Sequence, residues 1–485
     1  MIEPFILSIS VLLIFSVLAS KAGSRFGVPL LVLFMGIGMF AGAEGPGALQ
    51  FHNLAFTQTL AVISLCFILF SGGLTTSLKE IRPIIKSGLI LSTIGVLIAT
   101  ALVGWFAVAF LHFSKIAGLL LGATVASTDV AAVFTVLRSR NISLAGNLKP
   151  LLEFESAVND PMTVFLSVGL LQIYTTDHDG SLLALFPLFI KQMILGSLFG
   201  WLGGHLGTFL INRLKLEFEG LYPVLSIGLV LLIYSATQLV GGSGFLAVYL
   251  AGIFLGNRGL LHKKSLVQFH DGIAWLMQIA MFLAMGLLVL PSELSQIALP
   301  GMALSAFLIF VARPASVHLC LLPFRFSYPE VLMISWAGLR GAVPIILATY
   351  PLIAGIPEAK MIFNLVFFVV LTSILFQGAG IASISKWLGV NSPFKASVSF
   401  PIEFNPTKNL KNEMVEIPVP AISAIVGKSV LELGLPSNIL IVLIHRKGDV
   451  IVPRGSTIIE ADDRLLVLAE KSSVDFIEKL ASSRL

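Results

Sequence analysis

The sequence predicts an all-α polytopic membrane protein of thirteen transmembrane helices, arranged as two inverted repeats with discontinuous crossing helices, followed by a small cytoplasmic α+β domain. Three observations carry this expectation. The 485 residues are 56% hydrophobic and only 12% charged, against roughly 45–50% and about 25% in ordinary soluble domains. Charge is segregated: residues 391–485 hold 11 Lys/Arg and 11 Asp/Glu, while residues 1–390 hold 20 and 15 and so carry the whole net charge of +5. Basic residues also cluster in alternate connections between apolar runs, which is the signature of membrane topology and not of nucleic-acid affinity. A soluble enzyme is excluded.

A window of about 19 residues places apolar spans at 4–20, 28–43, 57–73, 87–111, 115–137, 150–174, 182–211, 221–239, 243–257, 267–290, 298–320, 329–351 and 360–388. Glu3 stands where a signal peptide carries basic residues, so the first run is read as a retained helix. Fourteen basic residues, from Lys21 and Arg25 to Arg325, fall in connections on one side, against Lys115 and Lys360 on the other. The first group therefore faces the cytoplasm, with the N-terminus outside and the C-terminal domain inside. Cys66 and Cys320 both lie in apolar runs, so a disulfide framework is excluded.

An odd number of spans with ends on opposite sides fits two inverted six-helix halves around one extra helix. Span 5 contains ATVASTDVAAV and span 12 contains WAGLRGAVPII, at corresponding places in the two halves. Polar, charged, Gly and Pro residues interrupt an apolar run in both, and each is read as a discontinuous helix.

Ionisable side chains within spans cost about 2.5–3.5 kcal/mol each on insertion scales, so each needs a reason. Asp129 lies in span 5, Glu155 and Asp160 in span 6, Arg313 in span 11 and Arg340 in span 12, with Glu153 and Asp271 nearer span ends. In ESAVNDP, the residues Glu155, Ser156, Asn159 and Asp160 turn to one side of a helix and form a polar stripe. Pro161 follows and removes a backbone donor beside the carboxylate. Asp129 is read as either a cap for the second half of a broken helix or an ion ligand. Glu155 needs an arginine, because an unpaired buried carboxylate is too costly. Arg313 and Arg340 are read as structural counter-ions, which leaves Asp160 to a proton or a metal cation. One carboxylate with two competing ligands exchanges them without ATP. If the site crosses only when occupied, one cation moves for one proton and the cycle is electroneutral. Thr128, Ser156 and unwound backbone carbonyls join Asp160 as oxygen ligands suited to Na+ or K+.

These residues resemble the NhaP-like monovalent cation/proton antiporters of the first subfamily, and most of all the bacterial cell-volume-regulation type potassium/proton antiporters. The resemblance covers residues 1–390 and rests on STDVAAV, FESAVNDPMTV, FHDGIAWLMQIAMFLAMGLLV and AGLRGAVPI, in that order. It implies a homodimer in the bacterial inner membrane whose core domain moves against a dimerisation domain. It carries the shared cation and proton site onto Asp160, with Thr128, Glu155, Ser156 and Asn159 around it, and it pairs Glu155 with Arg313. Asn159, where the electrogenic subfamily has a second aspartate, implies electroneutral exchange.

Residues 391–412 are polar and rich in Pro and Asn, and are read as a linker. Residues 413–485 carry strand-like runs VEIPV, NILIVLIHR, DVIVP and RLLVLAE, then a helix-like VDFIEKLASS. This unit resembles the C-terminal module of regulator-of-potassium-conductance domains, which tilts the substrate toward K+ and implies a small regulatory ligand, a nucleotide or cyclic dinucleotide, at residues 413–485. The family's nucleotide-binding partner module is missing, which weighs against NAD. No cofactor is expected in the membrane part.

Two strings imitate other sites. AIVGKSV at 424–430 has Ile422 where a phosphate-binding loop needs its first Gly, and GSGFLA at 242–247 opens a membrane helix instead of a βαβ unit. Gly200, Gly203, Gly204 and Gly207 are read as helix-packing contacts. The rival readings are a ligand-gated potassium channel and a non-transporting osmotic sensor. The first lacks a TVGYG-like filter; the second leaves an intact set of site residues without a use.

Overall fold

A computed structural model describes residues 2–26, 29–49, 53–140, 142–175, 185–393, 412–420, 423–436, 438–446, 449–470, 473, 476 and 477. The chain divides into two units, Met1–Phe394 and Lys395–Leu485.

The first unit is helical. Its main helices are α1 (Ile2–Phe26), α2 (Leu30–Ala41), α3 (Leu54–Thr75), α4 (Ile85–Leu111), α5 (Lys115–Val125), α6 (Val130–Ser139), α7 (Leu148–Thr175) and α8 (Leu185–Arg213). They are followed by α9 (Leu221–Leu239), α10 (Gly244–Gly256), α11 (Lys263–Leu288), α12 (Ala298–Leu321), α13 (Tyr328–Trp336), α14 (Ala342–Ala354) and α15 (Ala359–Trp387). Among the described residues, eight segments are long and apolar enough to cross a membrane: α3, α4, α5 with α6, α8, α9, α11, α12 and α15. Shorter apolar helices lie at 6–21, 30–41, 244–256 and 342–354. α7 is long enough to cross, but its polar stripe lowers its hydropathy. Large apolar side chains point outward all over this unit, Phe15, Trp105, Phe186, Phe310 and Phe376 among them, as a surface facing hydrocarbon requires.

Local chemistry sets the helix ends. Asn53 caps α3 by accepting from Phe56 N at 2.9 Å. Ser327 and Glu330 form a capping box at the start of α13. Pro314 has no N–H to give back to its helix, and α12 widens just before it into a π-helical turn at Leu308–Ala312. Further π-helical turns occur at Leu91–Gly95 in α4 and Ser373–Gly378 in α15.

Helices α2, α3, α8, α10 and α11 pack on one another, and α4, α5, α7, α12, α14 and α15 form a second group. Close approach in the first group uses missing side chains. A Cβ on Gly200 would come within 2.8 Å of the Ala247 carbonyl, and one on Gly252 within 2.7 Å of the Phe70 carbonyl. The seam between the groups runs where α14 meets α3 and α7 meets α10.

One departure from the sequence reading concerns a connection. The assigned linker at 391–412 does not begin as one: β2 (Asn391–Pro393) pairs antiparallel with β1 (Ile142–Leu144), in the connection between α6 and α7. Ala145 N extends the ladder to Val390 O at 2.8 Å. Such short strands have no periodicity of their own, and the partner is remote in sequence. The rest of that linker, 394–411, lies outside the described residues.

In the second unit, β3 (Asn412–Pro418), β4 (Ile439–Arg446), β5 (Asp449–Ile451) and β6 (Arg464–Glu470) form an antiparallel sheet ordered β3-β6-β4-β5. Alternating Ile417, Ile441, Ile444, Leu465 and Val467 build its core. Arg446 holds Asp463 at 2.8 Å and Glu460 at 2.7 Å. The described part is thus a small β domain. The helix-like run 474–483 lies almost wholly outside the described residues.

Candidate functional site

Two interruptions face each other in the second helix group. The first, Ala126–Asp129, separates α5 from α6; the second, Ala337–Gly341, separates α13 from α14. Each leaves carbonyls at the end of one half-helix and N–H groups at the start of the next without partners in their own helix. The two breaks satisfy part of this need between them. Asp129 N donates to Leu339 O at 2.7 Å. Arg340 Nη1 donates to Ala126 O at 2.5 Å and to Ser127 O at 2.6 Å. The guanidinium of Arg340 therefore sits at the negative end of α5, and it is 1% exposed. Asp129 accepts from Ala132 N at 3.3 Å, the geometry of a cap on α6. Gly341 leaves room for it, since a Cβ there would collide with the Asp129 carboxylate.

α7 brings its polar stripe against the first break. Ser156 Oγ donates to Thr128 O at 2.8 Å and accepts from Val130 N at 3.3 Å. Asn159 Nδ2 donates to Thr128 Oγ1 at 2.6 Å, while Asn159 Oδ1 is buried with no partner. Ser127 Oγ donates to Asp160 Oδ1 at 2.5 Å. Glu155 points elsewhere, to Arg313 on α12: Nη1 lies 2.6 Å from Oε1 and Nη2 3.0 Å from Oε2. Arg313 Nη2 also reaches Ile334 O at 3.3 Å, tying the pair to α13.

The charges are therefore apportioned. Arg313 is engaged with a carboxylate, Arg340 with backbone carbonyls, and the partner of Asp160 is a neutral hydroxyl. Asp160 is only 7% exposed, yet it lines a cavity of about 510 Å³ with Ser127, Thr128, Asp129, Ser156 and Gly341. The cavity runs on to Glu80 and Asp271, both exposed, so the site communicates with the exterior. Glu153 lies along this passage, 3.8 Å from Lys149. The structure thus brings Thr128, Asp129, Ser156, Asn159 and Asp160 to one place. Glu155 and Arg313 stand behind them, and Arg340 closes the break from the opposite side.

Three residues of this constellation have no part in the sequence reading. Ser127 lies inside STDVAAV, beside residues chosen for the site, and gave no signal of its own. Ser373 and Gln377 sit in the π-helical turn of α15, where two polar residues four apart in an apolar run are the same kind of signal as ESAVNDP. Arg340 N donates to Ser373 Oγ at 3.0 Å, Ser373 Oγ donates to Gln377 Oε1 at 2.6 Å, and Gln377 Nε2 donates to Trp336 O at 3.2 Å.

Chemically, the site offers two carboxylates, Asp160 and the Asp129 that caps α6, among hydroxyl, amide and carbonyl oxygens, which is a donor set for a hard cation or for a proton.

Residues 9–387 match the family described as sodium/hydrogen exchanger, transmembrane, and residues 414–482 match the TrkA-C domain. The chain is 41% identical over 487 residues to the K(+)/H(+) antiporter NhaP2 of Shewanella sp. (strain MR-4), covering 99% of this chain and 84% of that protein. It is 38% identical over 485 residues to the K(+)/H(+) antiporter NhaP of Alkalimonas amylolytica, covering 99% and 83%. Among solved structures, that of the sodium proton antiporter MjNhaP1 from Methanocaldococcus jannaschii at pH 8 has the same fold, with a TM-score of 0.69 at 24% identity over 79% of this chain and 98% of the other.

Proposed function

Because the chain belongs to the transmembrane sodium/hydrogen exchanger family, we propose that it exchanges K+, with Na+ as the weaker substrate, for protons by an electroneutral alternating-access cycle centred on Asp160. The chain is a cation/proton antiporter and not an enzyme. The preference for K+ is supported by relatives named as K(+)/H(+) antiporters that match 99% of this chain and by the TrkA-C domain at 414–482.

One observation carries the reading. Asp160 faces the cavity with a hydroxyl as its partner, while both buried arginines are engaged elsewhere. A carboxylate in this position is costly to move through low dielectric when ionised and empty. Bound to a proton or to a monovalent cation it is neutral, so either loaded form crosses at low cost and the empty form does not. That asymmetry couples the two ions one to one. Thr128 and Ser156 supply oxygens lining the cavity with Asp160, and Asn159, bonded to Thr128, keeps its Oδ1 unpartnered behind them. Glu155 serves through Arg313, and Asp129 and Arg340 through the two breaks.

The eight long segments, the four shorter apolar helices and α7 make thirteen crossings when α13 is counted with α14. We place them as two inverted halves in the bacterial cytoplasmic membrane, with the N-terminus outside, in a homodimer. The basic connections support that orientation, and they put Glu80, Asp271 and the cavity mouth on the cytoplasmic side. The C-terminal unit is proposed as a sensor for a small ligand, a nucleotide or cyclic dinucleotide, that adjusts exchange.

The test is direct. In proteoliposomes a K+ gradient drives opposite proton movement, imposed membrane potential leaves the rate unchanged, and Asp160→Asn abolishes it. Exchange that survives in that variant overturns the assignment of Asp160.

A further inference from the structure

Ser156 and Asp160 on α7 have counterparts on α15 that the exchange cycle leaves unused. α7 follows the first break and α15 the second, and each presents a serine and, four residues on, a larger polar residue: Ser156 with Asp160, and Ser373 with Gln377. Both pairs also bond to their own break. Each serine accepts an N–H at its break, Ser156 from Val130 N just after the first at 3.3 Å and Ser373 from Arg340 N within the second at 3.0 Å. Each residue four places later engages a group at the break or directly before it. Asp160 accepts from Ser127 Oγ at 2.5 Å, and Gln377 Nε2 donates to Trp336 O at 3.2 Å. Gln377 thus stands against the second break in a position like that of Asp160 against the first, neutral and bonded to a backbone carbonyl and to Ser373 in place of a single hydroxyl.

From this geometry we infer that Gln377, with Ser373, is a positioning residue for cation and proton exchange, holding the second break so that Arg340 sets the Ser127 hydroxyl on Asp160. The connection is continuous. Gln377 accepts from Ser373 at 2.6 Å, and Ser373 accepts from Arg340 N. Arg340 Nη1 donates to Ala126 O and Ser127 O, and Ser127 Oγ donates to Asp160. Ser373 is 1% exposed and Gln377 2%, so water does not replace a lost partner. The π-helical turn at Ser373–Gly378 aims both side chains at the break, and Trp336 Nε1 closes on Gln377 O at 3.1 Å from the other side. An amide suits the position because it donates to one neighbour and accepts from another while staying neutral.

The inference rests on the exchange reading, and its test keeps the two apart. Full-length wild type, Gln377→Met, Gln377→Glu and Asp160→Asn are compared in proteoliposomes for K+ half-saturation and maximal rate across pH. Purified protein is followed in parallel by K+-dependent thermal stabilisation, which reports binding without transport. Gln377→Met is expected to raise the K+ half-saturation relative to wild type by about tenfold, the order set by stranding one buried carbonyl, with a smaller loss of maximal rate. Gln377→Glu retains one donor and one acceptor when protonated and loses the donor when ionised. It is therefore expected to follow wild type on the acid side and Gln377→Met on the alkaline side. A Gln377→Met half-saturation equal to that of wild type overturns the inference, as does a Gln377→Glu profile parallel to Gln377→Met at every pH. Exchange surviving in Asp160→Asn rejects the role of Asp160 instead, and the thermal arm still decides whether Gln377 governs K+ binding.

Discussion

Arg313 forks onto Glu155, with Nη1 2.6 Å from Oε1 and Nη2 3.0 Å from Oε2. The pair is 5% and 1% exposed, so neither partner has water to turn to when the other is removed. Breaking a buried ion pair from one side costs about 3–5 kcal/mol, whereas replacing both partners together is often nearly neutral. Arg313→Leu and Glu155→Leu are each expected to lower thermal stability sharply, and the double variant to recover much of the loss. Thermal unfolding in detergent of the four proteins checks this; a double variant as unstable as the sum of the singles contradicts it.

Arg340 uses a single nitrogen for both of its carbonyl bonds, at 2.5 Å and 2.6 Å. A lysine ammonium carries enough protons to do the same. Arg340→Lys is therefore expected to keep measurable exchange, and Arg340→Met, which leaves the end of α5 without its cation, to lose about a hundredfold or more of the rate. Initial rates in vesicles decide between them; equal loss in both variants would mean that the guanidinium shape matters and not only its charge and reach.

Gly341 has no side chain because the Asp129 carboxylate occupies the space where one would go. Gly341→Ala forces Asp129 off its cap and is expected to cost roughly 1–3 kcal/mol, together with most of the exchange. Gly228, inside α9, has nothing within 4 Å of the same added atom, and Gly228→Ala serves as the control that should not lower stability. Thermal unfolding and exchange rates of the two variants make the comparison.

Glu293 lies in the short connection Pro291–Gln296, with Lys360 at 2.7 Å and Asn364 at 2.9 Å. Partial burial pushes its carboxyl up, but the Lys360 ammonium and the Asn364 amide outweigh that and hold it below the ordinary glutamate range. A lowered carboxyl contributes stability above the pH at which it would titrate when unfolded. The contribution is lost as pH falls through the folded value. Melting temperature measured against pH should therefore fall at acid pH more steeply in wild type than in Glu293→Gln; identical slopes would remove Glu293 from the account.

The ladder between Ile142–Leu144 and Asn391–Pro393 separates two truncations. Deleting 401–485 leaves the ladder whole and is expected to preserve exchange while changing its pH profile or regulation. Deleting 391–485 strips the partner from β1 and is expected to cost stability as well, about 1 kcal/mol for each backbone bond lost. Exchange rate and melting temperature of both truncations test this, and complete loss of exchange in a well-folded 401–485 deletion contradicts it.

Much of the membrane unit was legible because hydrocarbon is an unforgiving solvent. A carboxylate or a Gly-Leu-Arg-Gly interruption in an apolar run is conspicuous, and that exposed Asp129, Glu155, Asp160, Arg313, Arg340 and the two breaks. What stayed hidden depends on direction. Sequence spacing turns Ser156 and Asp160 to one side, but only folded backbone shows that Ser156 spends its hydroxyl on Thr128 O while Ser127 takes Asp160. The same holds for Arg340, whose partners are carbonyls made available by a break in another helix. Ser373 and Gln377 are neutral, so no insertion cost drew attention to them, and the β1–β2 pair has no pattern at all.

That pair also decides how a mechanical load enters the membrane unit. Pro393 is matched with Ile142 and Asn391 with Leu144, so tension on the chain leaving at 394 meets the rung nearest α6 first. Peeling would begin there and advance toward α7, one rung at a time. The route inward thus starts at the far end of the half-helix that Asp129 caps, and the helix bearing Asp160 feels the pull last.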